Sequence, residues 1–360
     1  MKRKFRTVLA LLAALGLSAC QSKANSEPAK AYDLAISYGN QITTFKTDNN
    51  QLEKVETRQL FDKKDIGIWQ ERLQSVKGNL YGGTNESLNS FKMYLFDVEP
   101  KTLKGKLAEV GGNDIYGSAS DEEYIYTTAV FLGHSDFYKY DTDLHQVTKK
   151  SIKEDGLINF TNDMIFVGDT LYVIVGSVDN EKETNANYLW VMNKQLEVQE
   201  KIDLNYTEGG YFRMVEADGK IYMTAAKEGI REDGEPGGGQ HILVYDLASG
   251  ETNRIKTELN YPKFIYYDES RHQLLVLHDP LYVADYTWTI IDLETLSQTQ
   301  LTFPEIASGM TEVFFTQTDS DYYFLFNEQL VKYSVDMQEK TIYDLTKFGI
   351  DYADALIFPE

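Results

Sequence analysis

The stretch LYVIVGSVDNEKETNANYLWVMNKQLEVQEKIDL, Leu171 to Leu204, decides the fold. It opens on β-branched and aromatic residues, crosses a polar segment, resumes in YLWVMNK and turns at an asparagine. It ends in the alternating run LEVQEKIDL. Period-two apolar patterning bounded by Asn, Asp and Gly reads as strand, turn and strand. The same order recurs along the chain. First segments begin at Tyr32, Leu80, Tyr124, Leu171, Ile221, Leu274 and Tyr322, so the spacings are 48, 44, 47, 50, 53 and 48 residues. Second segments such as FYKYDTD, ILVYDLA and WTIIDLE reach a corner at an Asp. An Asp side chain bonds backbone amides at such corners and needs no other role there.

In each of the last six units a further strand precedes the first segment, as GYFRMVEADGK precedes Ile221. One unit is then four antiparallel strands in about 47 residues, the period of radially repeated four-stranded sheets. Seven units over residues 32–360 resemble a seven-bladed β-propeller, and the expected class is all-β. The first unit lacks its leading strand, and DYADALIFPE, Asp351 to Glu360, is left over at the other end. Pairing that tail beside Leu34–Tyr38 closes the ring and removes two open edges. Neither the repeating Gly-His and Trp-Asp pairs of WD40 units nor the kelch double-glycine pattern is seen, so no propeller subfamily is assigned. An irregular pair of β-sandwiches is the rival fold.

The first residues carry a different message. MKRKFR is basic, TVLALLAALGL is uncharged, and Leu17-Ser18-Ala19-Cys20 follows. A positive segment before a short apolar run is the layout of a secretory signal. The run is too short to span a bilayer as a helix, which takes about 20 residues. Its ending resembles the lipobox of bacterial lipoproteins. That resemblance implies a leader over residues 1–19 and a diacylglycerol thioether and acylated N-terminus on Cys20. Two or three acyl chains anchor durably where one does not. Residues 20–31 read as a polar tether, whose eleven residues after Cys20 reach about 35 Å. The expected location is the outer side of a cell membrane, with a Gram-positive surface favoured because Gln21 is not the inner-membrane sorting aspartate.

Charge narrows the partners. The formal net charge is −21, and −25 once the four basic residues of the leader are removed. Such a surface repels phosphate backbones and anionic headgroups. Nucleic acid is excluded, and a cationic partner or divalent ions would be favoured. Cys20 is the single cysteine, so no disulfide forms within the chain, and 25 Tyr, 18 Phe and 3 Trp must build the core.

In a propeller the inner strands start at one face, and the loops between second and third strands lie there too. Residues near those starts should ring the channel mouth: Gln70, Tyr116, Asp163, Arg213, Glu312 and Asp354. One cation among carboxylates could orient a polar ligand, or the groups could satisfy one another. The longest loops on that face are Ser177–Tyr188 and Ala225–His241, and the second holds Gly237, Gly238 and Gly239. With no following Lys-Ser/Thr the triple glycine fails as a phosphate loop, and it reads as a mobile hairpin tip. His134, His241 and His278 share this face but lack short ligand spacing, so no metal and no cofactor is expected. No D-x-[DN]-x-[DN]-G loop and no G-x-S-x-G elbow occurs. The expected function is a non-catalytic binding or scaffolding module for an envelope protein, peptide or glycan. The alternative is a propeller hydrolase or lyase, which would show converging acids or histidines at the channel mouth.

Overall fold

The computed structural model describes residues 28–62, 73–85, 93–110, 115–131, 134–179, 181–182, 184–207, 209–306 and 312–359. Cys20 and Gln70 lie outside them. The apolar segments form strands because their β-branched and aromatic side chains suit a pleated surface buried between neighbours. They assemble into seven four-stranded antiparallel sheets, with the strands of each in chain order from the inside outward. The inner strands of blades two to seven are Gln74–Val76, Ile115–Ser120, Leu157–Val167, Gly209–Ala217, Pro262–Asp268 and Glu312–Gln317. The protein is a seven-bladed β-propeller.

Blade one is composite. Ala355–Ile357 pairs antiparallel with Leu34–Tyr38 in the register Ala35 to Ile357 and Ser37 to Ala355. Gln41–Asp48 and Gln51–Gln59 complete that sheet. The closing strand is delivered by a 3-10 turn, Leu345–Phe348, capped by Asp344 and ended by Gly349 at φ 77°. Leu34, Ile36, Phe45, Leu325, Leu356 and Ile357 pack there as one cluster. The seal is therefore apolar as well as hydrogen-bonded.

The rest of the core lies between blades. Trp288, Phe303, Phe315 and Phe324 fill the interface of blades six and seven, and Tyr126, Phe137 and Trp190 that of blades three and four. Each fully buried aromatic is worth roughly 2–3 kcal/mol in removed apolar surface. The Asp corners behave as the sequence implies. Asp292 Oδ1 accepts from the amides of Glu294 (3.1 Å) and Thr295 (2.7 Å), and Asp246 and Asp141 do the same. These corners also hold a feature the sequence hides. Leu103, Leu144, Leu196 and Leu296 sit at φ 54–65°. A side chain costs about 1 kcal/mol there, and burial of the first three offsets it.

Candidate functional site

Upper denotes the end of the ring where the inner strands begin. There the inner strands of blades three to seven share an irregularity: each carries a β-bulge. The register of strand pairing skips Tyr116, Asn162, Phe212 with Arg213, Lys263 and Val313. A bulge re-aims side chains and breaks pairing locally. In blades four to six the re-aimed groups tie each blade to the next. Asn162 Nδ2 donates to Tyr211 O at 2.8 Å, Arg213 Nη1 to Asn162 O at 2.8 Å, and Thr224 Oγ1 to Lys263 O at 2.7 Å.

The expected mouth residues fall on this level in part. Buried Asp163 accepts the Met214 amide at 2.9 Å through Oδ2. The Arg213 guanidinium lies over the Phe212 and Phe264 rings, 4.4 and 5.5 Å from their centres. Asp354 is buried just before the closing strand and accepts the Gly39 amide at 2.6 Å. Burial pushes its carboxyl up to about 7, against the lowering effect of that amide. Tyr116 and Glu312 lie on inner strands, with their side chains outside the described part. Asp163, Arg213 and Asp354 thus serve blade-to-blade and closing contacts. Lys263 was missed by the sequence reading. It shares both phenylalanine rings with Arg213 and meets Asp279 at 3.3 Å. Only the bulge brings it to the mouth.

His241 and His278 are buried among internal partners, and His134 lies 3.4 Å from Asp136. His278 is fully buried between Asn260 O (2.7 Å) and Thr289 Oγ1 (2.8 Å), and burial lowers its pKa. His241 stands edge-on to Tyr206 and Tyr211. Burial, with Arg254 adding to it, brings its pKa down to about 4. Among the described residues no three His, Cys, Asp or Glu side chains are grouped to hold a metal ion.

The triple glycine requires a correction. Gly237, Gly238 and Gly239 lie inside the strand Pro236–Asp246, not at a hairpin tip. The tip is the turn after Ile230, where Arg231 pairs with Asp233 at 2.5 Å. A Cβ on Gly237 or Gly239 would sit 2.2 or 1.8 Å from the carbonyl oxygens of Glu228 or Ala225. One on Gly238 would strike the Tyr261 ring at 2.6 Å. Gly238 makes room for a tyrosine, and Gly237 and Gly239 for the carbonyls of the paired strand. Tyr261 holds φ 60°, a strained setting kept by bonds at both its amide and its carbonyl. Its N–H donates to Gly239 O at 2.8 Å, and its C=O accepts from Asp279 N at 2.9 Å.

That strained tyrosine supports a platform. Tyr282 stacks on it with ring centres 4.3 Å apart and planes at 12°. Arg231 Nη1 reaches the Tyr261 hydroxyl at 3.4 Å. Ile230 and Leu281, chain neighbours of Arg231 and Tyr282, are 80% and 82% exposed. Exposed Glu232 and Glu235 flank the Arg231–Asp233 pair. The exposed apolar surface here is thus that of Ile230 and Leu281, while Tyr261 is 7% exposed and Tyr282 half-buried.

A cavity of about 680 Å³ occupies the other half of the channel. Its wall comes from the ends of the inner strands, including Phe166, Val215, Phe314 and Leu356, and none of Asp163, Arg213 and Asp354 lines it. The chain enters the ring at this end, with Tyr32 donating its hydroxyl to Pro100 O at 2.5 Å.

No protein-family model matches the sequence, and no curated protein does. Solved structures resemble it in shape. Dihydro-heme d1 dehydrogenase NirN, in complex with DHE, is 12% identical over 95% of this chain and 78% of its own, with a TM-score of 0.55. Apo AztD from Citrobacter koseri is 10% identical over 91% and 98%, with a TM-score of 0.53. A putative 6-phosphogluconolactonase from Bacteroides uniformis is 10% identical over 91% and 100%, with the same TM-score of 0.53. At such identities the likeness is one of fold alone, and the fold is the β-propeller.

Proposed function

We propose that this chain is a lipid-anchored binding protein on the outer side of a cell membrane. Its upper end, at blades five and six, takes a protein segment rich in Lys and Arg and bearing apolar side chains. The observation that carries this reading is the pair of exposed aliphatic side chains, Ile230 and Leu281, with half-buried Tyr282 next to Leu281 in the chain and stacked on buried Tyr261. Aliphatic and aromatic anchors within a charged border are how protein partners are held. The −25 charge of the mature chain steers a cationic partner towards it.

The lipobox ending at Cys20 supports the anchor. A lipid there would hold the ring by the end where Tyr32 enters, so the platform would face away from the bilayer. A hydrolase or lyase is the second reading, favoured by the Asp354 carboxyl near neutrality at the mouth. The one bond described for it, from the Gly39 amide, serves ring closure, so that reading has less support.

Two experiments test the proposal. Cys20→Ser should move the protein from the membrane fraction to the medium; unchanged membrane retention would refute the anchor. Fluorescent 15-residue peptides of Lys/Leu and of Glu/Leu composition should be titrated against the full chain. Saturable binding of the basic peptide, weakened about tenfold by Leu281→Ser with Tyr282→Ala, is expected. Equal binding of the acidic peptide, or indifference to the substitutions, would refute the platform.

A further inference from the structure

At the lower end, where the inner strands finish, blade two differs in charge from its neighbour. Its two hairpins there hold Lys77, Lys101 and Lys104, all exposed. The turns join neighbouring strand pairs of one sheet, so at about 4.8 Å per strand they lie roughly 10 Å apart. None of the three lysines has an ion pair among the described residues. Glu99, the acid of these turns, accepts the Thr102 hydroxyl at 2.5 Å, and Asp97 behind them is met by Lys106 at 3.5 Å. The corresponding turns of blade three carry Asp121, Glu122, Glu123, Asp141 and Asp143 and no lysine. The net −25 of the mature chain conceals this unevenness.

The chain enters the ring beside these lysines. Ala29 N donates to Lys101 O at 3.4 Å. Arg58 spans the junction, with Nη2 donating to Pro28 O at 2.7 Å and Nη1 to Thr102 O at 3.3 Å. The amide of exposed Lys30 donates to Glu56 Oε1 at 2.9 Å. Between Cys20 and Pro28 lie seven residues, a reach of at most about 25 Å. A lipid on Cys20 would therefore hold blade two close to the bilayer. Tethering makes that approach intramolecular, so the charge of the whole chain no longer decides it. Lysines are drawn to an anionic lipid surface within about one Debye length, about 8 Å at physiological salt. Those at the root of the tether come into range first, and the acidic turns of blade three are repelled and turned away. A lipid chain joined to a basic patch also holds a membrane more firmly than either alone.

We infer that the lower end of blade two, through Lys77, Lys101 and Lys104 beside Lys30, docks on an anionic phospholipid surface and tilts the ring towards it. This docking rests on the lipid anchor proposed above. The test reconstitutes the lipidated chain into vesicles of phosphatidylcholine, alone or with an equal part of phosphatidylglycerol. Flotation with the vesicles reads the anchor by itself. A membrane-impermeant acetylating ester, with mass spectrometry, then reads each lysine. On the anionic vesicles Lys77, Lys101 and Lys104 should react about fivefold more slowly. Exposed Lys227 and Lys256 of blade five should react alike on both, and molar salt should abolish the difference. In the chain with Lys77→Gln and Lys104→Gln, protection of Lys101 should fall to about twofold or less. Protein that floats but reacts equally on both vesicles overturns the docking and leaves the anchor standing. Protein that does not float overturns the anchor, and the docking with it. Equal protection of Lys227 and Lys256 would be general shielding and overturns the docking. So does protection by dissolved inorganic polyphosphate that anionic vesicles do not reproduce, since the patch would then serve another polyanion.

Discussion

The two ends of the ring solve opposite problems with the same strands. At the upper end the inner strands bulge, and the freed polar groups bond across blades. Apolar side chains there are pushed outward, to Ile230 and Leu281. At the lower end the ladders run regularly to their hairpins, and apolar side chains face inward on an open volume. Regular pairing consumes backbone groups and leaves side chains to fill or line space. Interrupted pairing releases polar groups that must find partners. One end thus presents exposed aliphatic side chains and the other a cavity.

The largest effect that would sharpen this contrast is a matter of pH. Burial raises the Asp354 carboxyl to about 7 in the folded ring, against about 3.9 in an unfolded chain. Between those values the native state binds the extra proton, so its stability falls as pH rises through that window and levels off above it. About three units correspond to at most about 4 kcal/mol. His241, lowered to about 4, works the other way: its contribution is present above about 6.5 and lost as pH falls. The clean measurement is therefore a difference. Urea unfolding of Asp354→Asn and the unsubstituted chain should agree near pH 4 and diverge in favour of the substitution up to pH 7. A constant difference would remove the buried acid from the account of the upper end.

Next is Gly239→Ala, whose Cβ would lie 1.8 Å from a carbonyl oxygen. It should cost about 3 kcal/mol in urea unfolding and disturb the Tyr261 stack in near-ultraviolet circular dichroism. An unchanged near-ultraviolet spectrum would mean that the strand absorbs the methyl without moving the stack. Leu356→Ala is the lower-end counterpart. Leu356 is 3% exposed in the closing strand and lines the cavity, so truncation should cost about 2–3 kcal/mol in urea unfolding. Tyr282→Ala removes one stacked ring and should cost about 1 kcal/mol. Leu281→Ser, fully solvated, should change stability by less than about 0.5 kcal/mol. A large loss from Leu281→Ser would show that the side chain packs and is not displayed.

Much of the frame was legible in the residues. The repeats gave the blade count because every blade needs the same apolar alternation to bury both faces. The leftover Asp351–Glu360 tail gave the closure because an unpaired edge strand needs a partner. The Asp corners were legible because their bonds are local. The mouth was legible only in part: Arg213 lies on a bulge and Asp163 beside one, but Lys263 gave no sign. A bulge shifts the register by one residue, and alternation alone cannot say where it occurs. The triple glycine misled for a related reason. Glycine at a turn and glycine under a ring look alike until the ring is placed.

By itself, then, the amino-acid order determined a seven-fold ring of antiparallel sheets sealed by its own tail, because hydrophobic period and hydrogen-bond closure are properties of short segments. Tertiary structure alone decided which end carries a platform and which a cavity. It set Tyr261 in a strained conformation against Gly238. Those outcomes depend on contacts between residues tens to hundreds of positions apart, where packing overrides what any one segment prefers.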